Sequence, residues 1–186
     1  MISLFSLWLP ICLSAVLVFL ASSLIHMVFK WHNSDYRALP NEDEVREALR
    51  KGTPAPGQYV LPYCPDMKEM NAPAMQKKFE EGPVAMLYLK APGQPKMGPA
   101  LGGWFLFNLV IAFVVAYVTS RTLPVQAHYL QVFRVAGTVA FLAYAGNAAQ
   151  ASIWMGKPWR SAAKEILDGL IYGLVTAGTF GWLWPR

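Results

Sequence analysis

The chain has 186 residues, of which 55% are hydrophobic, and its mean hydropathy is +0.31. This composition is too apolar for an ordinary soluble domain, so we expect a membrane protein. Residues 30–100 are an exception, because they hold ten of the sixteen Lys and Arg and nine of the eleven Asp and Glu, a balance of +1 (10 − 9). The net charge of +5 therefore lies mostly beside apolar segments, which indicates topology signals and argues against a nucleic-acid partner.

The first apolar segment, residues 2–29, contains no acidic or basic residue except His26 and is interrupted by Pro10. It lacks the basic start of a signal peptide, and it is about twice as long as the apolar core of one. We therefore predict a retained first transmembrane helix, which Pro10 kinks in its outer third. Basic and aromatic residues typical of the headgroup level follow it: Lys30, Trp31 and His32.

Residues 30–100 are predicted to form a small α+β insertion outside the membrane. Acidic starts and glycine ends indicate short helices, and runs rich in Tyr, Val and Leu between Pro and Gly indicate short strands. The expected order is helix, strand, helix, strand, at residues 41–51, 57–63, 72–81 and 84–90. Residues 91–103 are rich in Pro and Gly, so we expect a linker without regular structure before the chain returns to the bilayer.

Three more apolar runs follow the insertion, at residues 101–120, 128–154 and 162–184. Each has roughly the 20 residues that are needed to cross a hydrocarbon core about 30 Å thick. Short turns join them, which favours antiparallel neighbours. The predicted fold is therefore an all-α membrane protein with four transmembrane helices in an antiparallel bundle, divided into residues 1–29, the insertion at 30–100, and residues 101–186.

The last run, residues 162–184, organises the rest of the bundle in this prediction. It carries a stripe of small residues at four-residue spacing: Gly169, Gly173, Ala177 and Gly181. Lipid provides no hydrophobic force between helices, so helices associate where small residues let their backbones approach closely. We expect this small-residue stripe to pack against another helix.

The distribution of basic residues predicts the orientation in the membrane. Most Lys and Arg residues fall on one face of the predicted bundle, in residues 30–100 and in the turn near Lys157 and Lys164. The other face receives Arg121 and Arg186. The first face should be cytoplasmic, so residues 33–100 lie in the cytoplasm and both termini lie in the periplasm. A reducing cytoplasm would explain why Cys64 needs no disulfide partner.

Polar side chains at similar depths in the predicted helices suggest a common polar layer. Its expected members are Asp168, Asn147, Gln150, Asn108 and His26. The layer could bind a solute, an ion or a proton, because ionisable groups inside a membrane usually serve a function. It could instead supply hydrogen bonds that only fix the bundle, with Asp168 paired to Lys164 one turn earlier. We prefer the structural interpretation.

The three histidines do not predict a metal or haem site. On a continuous helix His26 and His32 would lie on different faces, and His128 is predicted at the opposite side of the membrane. Cys64 has no histidine near it in sequence to act as a base. We therefore expect no catalytic residue, no metal and no cofactor.

Two runs of sequence carry a family resemblance. Residues 22–40 end in Asp-Tyr-Arg-Ala-Leu-Pro, and residues 168–182 read Asp-Gly-Leu-Ile-Tyr-Gly and then, two residues on, Thr-Ala-Gly-Thr-Phe-Gly-Trp. These runs resemble a group of small bacterial integral membrane proteins of unassigned function. The resemblance implies a location in the bacterial inner membrane.

Two functions are compatible with this sequence. The leading one is an accessory or structural subunit in the lipid bilayer, which assembles with itself or with other membrane subunits. The alternative is a small transporter or channel that uses the polar layer near Asp168. Four helices are too few to enclose a wide path, so that alternative requires an oligomer.

The orientation can be tested with reporter fusions. We expect alkaline phosphatase to be active when fused after Arg186, since that end is predicted to be periplasmic, and inactive when inserted in the loop at residues 53–56. Enzyme activity of the two fusions, normalised to their abundance, is the measurement. The reverse pattern would refute the orientation and, with it, the explanation for Cys64.

Overall fold

The computed structural model describes residues 2–185; Met1 and Arg186, the ends of the predicted domains, lie outside the described residues. It is mostly helical and divides into two compact units. One unit combines the chain up to Arg37 with the chain from Lys96 onward, and the other is Ala38–Pro95. Three helices of the described chain are long and apolar enough to cross a membrane: Leu4–Phe29, Met97–Thr122 and Tyr129–Met155.

The first apolar segment is a helix whose pitch changes along its length. A 3-10 turn at Leu4–Leu7 leads into α1, Trp8–Ser23, and a π-helical turn at Leu24–Phe29 ends it. Pro10 lies in the first turn of α1, directly after the 3-10 turn, so its missing N–H removes at most one hydrogen bond where the pitch changes.

The second unit is the small α+β insertion, in the order that the sequence predicts. It consists of α2 (Glu42–Lys51), β1 (Gly57–Leu61), α3 (Pro73–Glu81) and β2 (Ala85–Leu89). The two strands pair antiparallel, with Gly57 opposite Leu89 and Leu61 opposite Ala85. Residues 38–95 are all described, and none of them is fully buried. The unit therefore has no compact core of its own.

The return to the helical unit begins earlier than the sequence suggests. Helix α4 runs Met97–Thr122, so the prediction of irregular structure through residue 103 is wrong from Met97 onward. Pro99 is the third residue of α4, and a proline in the first turn removes no intrahelical hydrogen bond. Position in the helix, and not composition, decides whether such a proline is tolerated.

Helices α5 (Tyr129–Met155) and α6 (Trp159–Trp182) complete the bundle. His128 and Gln131 form a capping box at the start of α5, and Gly156 ends it at φ +70°. Helix α6 has 24 residues, but it is not among the three apolar helices because its charges, glycines and threonines lower its hydropathy. It is nevertheless well enclosed, with ten residues buried: Ser161, Ala162, Asp168, Gly169, Tyr172, Gly173, Thr176, Ala177, Thr179 and Phe180.

Helices α5 and α6 pack antiparallel along the small-residue stripe of α6. The stripe residues Gly169, Gly173, Ala177 and Gly181 lie against Ala145, Phe141, Gly137 and Tyr129, respectively. The backbones are so close that a Cβ atom built on Gly169 would lie 2.8 Å from the Cβ of Ala145 and 3.0 Å from its backbone nitrogen. The small-residue stripe is therefore already covered by α5 of the same chain.

The hydrophobic core fills the end of the bundle that holds the start of α1 and the end of α4. Its fully buried members include Leu7, Val115, Val132 and Phe180, each 0% exposed. A smaller cluster of Val18, Ile25 and Tyr172 continues toward the other end. That second end carries the polar side chains.

We expect Gly169→Ala to destabilise the protein, because the new methyl group would overlap Ala145 on α5. Overpacking of this kind typically costs ~1–3 kcal/mol. Gly146→Ala is the matched control, since a Cβ there meets nothing within 4 Å and alanine is the better helix former by ~0.5–1 kcal/mol. Thermal unfolding in detergent compares the two variants. Equal stability of both would show that α5 and α6 do not approach this closely.

Candidate functional site

A reversal of the chain after α1 forms the base of the candidate site. Lys30 adopts a left-handed conformation at φ 52°, and a 3-10 turn follows at Trp31–Asp35. The reversal brings the ring of His32 against that of His26, with centroids 4.9 Å apart and planes 12° from parallel. The prediction that these histidines lie on different faces is therefore wrong, because the helix ends at Phe29 and does not continue to His32.

The imidazole of His32 bridges two carboxylates. Its Nδ1 lies 2.9 Å from Oδ2 of Asp35, and its Nε2 lies 2.8 Å from Oδ2 of Asp168. The three side chains are 15%, 9% and 8% exposed, so the bridge is largely shielded from water. It links the turn after α1 to the first half of α6.

Lys164, one turn before Asp168 on α6, fixes the same turn. Its ammonium donates to Oδ1 of Asp35 at 2.6 Å, to the carbonyl of Trp31 at 2.6 Å and to the hydroxyl of Ser34 at 2.9 Å. This hydrogen bond with Lys164 holds the pKa of Asp35 below its usual value. The expected pair between Lys164 and Asp168 is replaced by the pair between Lys164 and Asp35.

The charges of this cluster do not cancel when both imidazoles are neutral. Asp35 and Asp168 contribute two formal negative charges and Lys164 one positive charge, so the sum is −1 (−2 + 1). Few other charges lie beside it, and Lys157 and Glu165, which line the adjoining cavity, form an ion pair with each other. With a proton on His32, whose two nitrogens each face a carboxylate oxygen, the sum is 0, so the cluster accommodates one positive charge besides that of Lys164.

A cavity of about 620 Å³ lies beside the cluster, between α1, α4, α5 and α6. Its polar lining includes His26, Asn147, Lys157, Glu165, Asp168 and Tyr172. Two of these groups carry buried atoms without a hydrogen-bond partner in the described structure, Oδ1 of Asp168 and the hydroxyl of Tyr172. Buried polar atoms are rarely left unpaired in proteins, so such atoms indicate a place for water, an ion or a ligand.

Aromatic side chains form a rigid wall of this cavity. The indole of Trp104 on α4 donates to the hydroxyl of Ser22 on α1 at 2.8 Å. Its ring lies near those of Tyr144 on α5 and Tyr172 on α6, with centroids 6.3 and 6.1 Å away. One residue from each of the four helices thus meets at this depth. Such a wall gives the cavity a defined shape.

The predicted polar layer is divided by the structure. His26, Asn147 and Asp168 line the cavity. Asn108 is 0% exposed and lies behind the lining, where its Oδ1 accepts from the hydroxyl of Tyr144 at 3.2 Å. Gln150 is exposed on α5 and is not among the lining residues.

Three residues of the cluster were not predicted as site residues: His32, Asp35 and Lys164. The sequence contains one signal that could have suggested them, a histidine and an aspartate three residues apart directly after an apolar helix. It contains none for the reversal itself, since left-handed conformations are uncommon for a lysine such as Lys30. The positions of His32 and Asp35 follow from that one backbone conformation, whereas Lys164 is placed by α6.

We expect Lys164→Met to loosen the turn that carries His32, because Asp35 loses its ammonium partner and the carbonyl of Trp31 loses a donor. Lys51→Met is the matched control, since its ion pair with Glu47 is exposed and such pairs contribute little to stability. The melting temperature and amide exchange of residues 30–37 are the measurements. Lys164→Met should lower the melting temperature and speed amide exchange more than Lys51→Met does. Equal effects of the two variants would contradict the role of Lys164.

The site combines an imidazole between two carboxylates, a second imidazole stacked on it, and an adjoining cavity. Such a set can bind a cation or hold a proton, whereas a nucleophile with its base is not among the described contacts. Comparison of the chain with family models, with curated proteins and with solved structures found no match.

Proposed function

We propose that the protein is a multi-pass protein of the bacterial inner membrane in which α6 is a fourth transmembrane helix beside the three apolar ones. Its 24 residues extend about 36 Å at 1.5 Å each, enough to cross the hydrocarbon core. Its polar groups face the other helices, so lipid would meet mainly apolar side chains such as Leu167, Leu170 and Leu174. A helix enclosed in this way does not need to be apolar on every face.

The proposed orientation places the cluster of His26, His32 and Asp168 at the cytoplasmic end. The excess of Lys and Arg at that end and the chain that leaves it for the insertion support this assignment. The cavity would then be reached from the cytoplasm.

We infer that the cavity binds a small cation. The observation that carries this inference is the buried carboxylate of Asp168 at the cavity, whose Oδ1 makes no well-formed hydrogen bond, although the indole of Trp31 interacts with this carboxyl group. Leaving a carboxylate oxygen unpaired away from water is unfavourable, and a cation would satisfy it. With both imidazoles neutral the cluster has a formal charge of −1, which a bound cation would balance in the same way as a proton on His32.

Transport of that cation would require more than one copy of the chain. The other half of the bundle is filled by fully buried residues such as Leu7, Val115 and Phe180, so the cavity does not continue between these helices. A path would have to form between copies or through a change in helix packing. The protein is therefore proposed as a cation-binding membrane protein that acts in transport as an oligomer.

An accessory subunit is the second candidate, and the insertion favours it. Residues 38–95 bury none of their side chains fully and expose large apolar ones, including Leu39, Tyr63, Met67 and Val84. A unit of this size without a core is marginally stable by itself, so contact with another subunit would stabilise it. Such assembly would use the insertion and not the small-residue stripe, which is already occupied by α5.

We expect Asp168→Asn to abolish cation flux while it keeps the fold, because the amide preserves size and hydrogen bonding but removes the charge. Its cost in stability should be small, on the order of the ~0.6 kcal/mol typical of hydrogen bonds between membrane helices. Asp168→Ala should cost more, ~1–3 kcal/mol, because His32 loses its partner. Unfolding in detergent measures the stabilities, and dye-loaded vesicles measure the flux of protons, Na⁺ and Zn²⁺.

Asp43→Asn is the control, since that carboxylate is 96% exposed in the insertion. Flux in the wild type and in this control, but not in Asp168→Asn, would support transport through the site. Binding of a cation without flux would favour the accessory subunit. Neither binding nor flux in a correctly folded wild type would refute the cation proposal and restore the purely structural interpretation of the polar layer.

A further inference from the structure

We propose that His26, His32 and Asp168 bind a divalent transition-metal ion of the zinc class. This inference rests on the proposed function, because it names the cation that the cavity accepts. One ligand atom from each of the three residues lies within 4.8 Å of the other two. Metal bonds to nitrogen and oxygen are about 2.0–2.2 Å long, so the side chains would have to close around the ion. One of the two stacked rings would also have to turn, because an imidazole binds a metal in the plane of its ring.

His26 presents a nitrogen that is free to bind a metal. Its Nδ1 lies 2.9 Å from the backbone carbonyl of Ser22. A carbonyl oxygen only accepts hydrogen bonds, so Nδ1 must carry the proton and donate. The neutral ring then keeps its lone pair on Nε2. A hydrogen bond from the remote nitrogen to a carbonyl is the usual way in which proteins orient a metal-binding histidine.

His32 is oriented by a carboxylate in the corresponding way. Its Nδ1 faces Asp35, which Lys164 holds in place, and its Nε2 faces Asp168. If Nδ1–H donates to Asp35, the lone pair of Nε2 points at the carboxylate of Asp168, and a proton or a cation must lie between them. A metal ion bound there would replace that proton. The series Asp35, His32, metal is the carboxylate–histidine arrangement common to zinc sites.

Asp168 supplies the anionic ligand. Its side chain is only 8% exposed, and its Oδ1 makes no well-formed hydrogen bond within the described structure, although the indole of Trp31 interacts with the carboxyl group. Two imidazoles and one carboxylate suit zinc and related transition metals, whereas Mg²⁺ and Ca²⁺ prefer all-oxygen sites. Three protein ligands leave at least one coordination position open, and the cavity beside Asp168 could supply the water or solute that fills it.

The test uses the full-length protein in detergent, freed of metal with a chelator and then titrated with Co²⁺, with Zn²⁺ as competitor. We expect about one ion per chain, a visible absorption typical of nitrogen and oxygen ligands, displacement by Zn²⁺ and no displacement by Mg²⁺. His26→Ala should weaken Co²⁺ binding at least ~10-fold, since it removes a ligand. Asp35→Asn should weaken it roughly 10- to 100-fold, because it removes the group that orients His32.

The matched control is His128→Asn. His128 is the remaining histidine and caps α5 outside the cluster, and asparagine is also a good N-cap residue. This variant should bind Co²⁺ like the wild type. Because His26 is exposed and its loss disturbs few contacts, His26→Ala should keep the wild-type circular dichroism and melting temperature.

Unchanged Co²⁺ affinity in both His26→Ala and Asp168→Asn would overturn the assignment, as would equal weakening by His128→Asn. The outcome for the metal can be separated from that for the proposed function. Flux of protons or Na⁺ that depends on Asp168, without Co²⁺ binding, would refute the metal and retain the cation site. A folded wild type with neither flux nor binding would refute both.

Discussion

The contact on which this end of the molecule depends is the imidazole of His32 between Asp35 and Asp168. It connects the turn after α1 to α6, and its two residues His32 and Asp168 are 136 residues apart in the sequence. An imidazole can serve two buried carboxylates only when a proton or another cation lies on each side, because two facing acceptors repel. The local structure therefore requires positive charge, which Lys164 supplies at Asp35 but not at Asp168.

The close contact between α5 and α6 buries the carboxylate that needs this positive charge. The small-residue stripe brings the two backbones together, so α6 is enclosed and Asp168, next to Gly169 in the stripe, is carried into the bundle. Burial gives the carboxylate its chemical significance, since a solvated aspartate would need no partner. The same enclosure explains how a helix with Glu165, Asp168 and two threonines can belong to an otherwise apolar bundle.

The sequence predicts the parts of this structure that depend on periodicity and hydropathy. The long helices, the two strands and the small-residue spacing of α6 all belong to that class. The reversal at Lys30 does not depend on periodicity or hydropathy, and a left-handed lysine has no sequence signature. The sequence therefore predicts His32 on the wrong face. The composition of residues 91–103 does not predict the start of α4 either, because a proline such as Pro99 is tolerated in the first turn of a helix.

A cation at this site would act on the point where the chain leaves the bundle. Asp35 and the turn that precedes it end at the boundary of the helical unit, since the insertion starts at Ala38. The turn is held by side chains of α6 and has no buried residue of its own, so its order depends on the charges that Lys164 and Asp168 present. Neutralising Asp168 with a bound cation would reduce the excess negative charge and cross-link α1, the turn and α6. Cation binding and assembly through the insertion are therefore compatible functions of one chain, because the residues that would hold the ion also fix the start of the segment that would meet a partner.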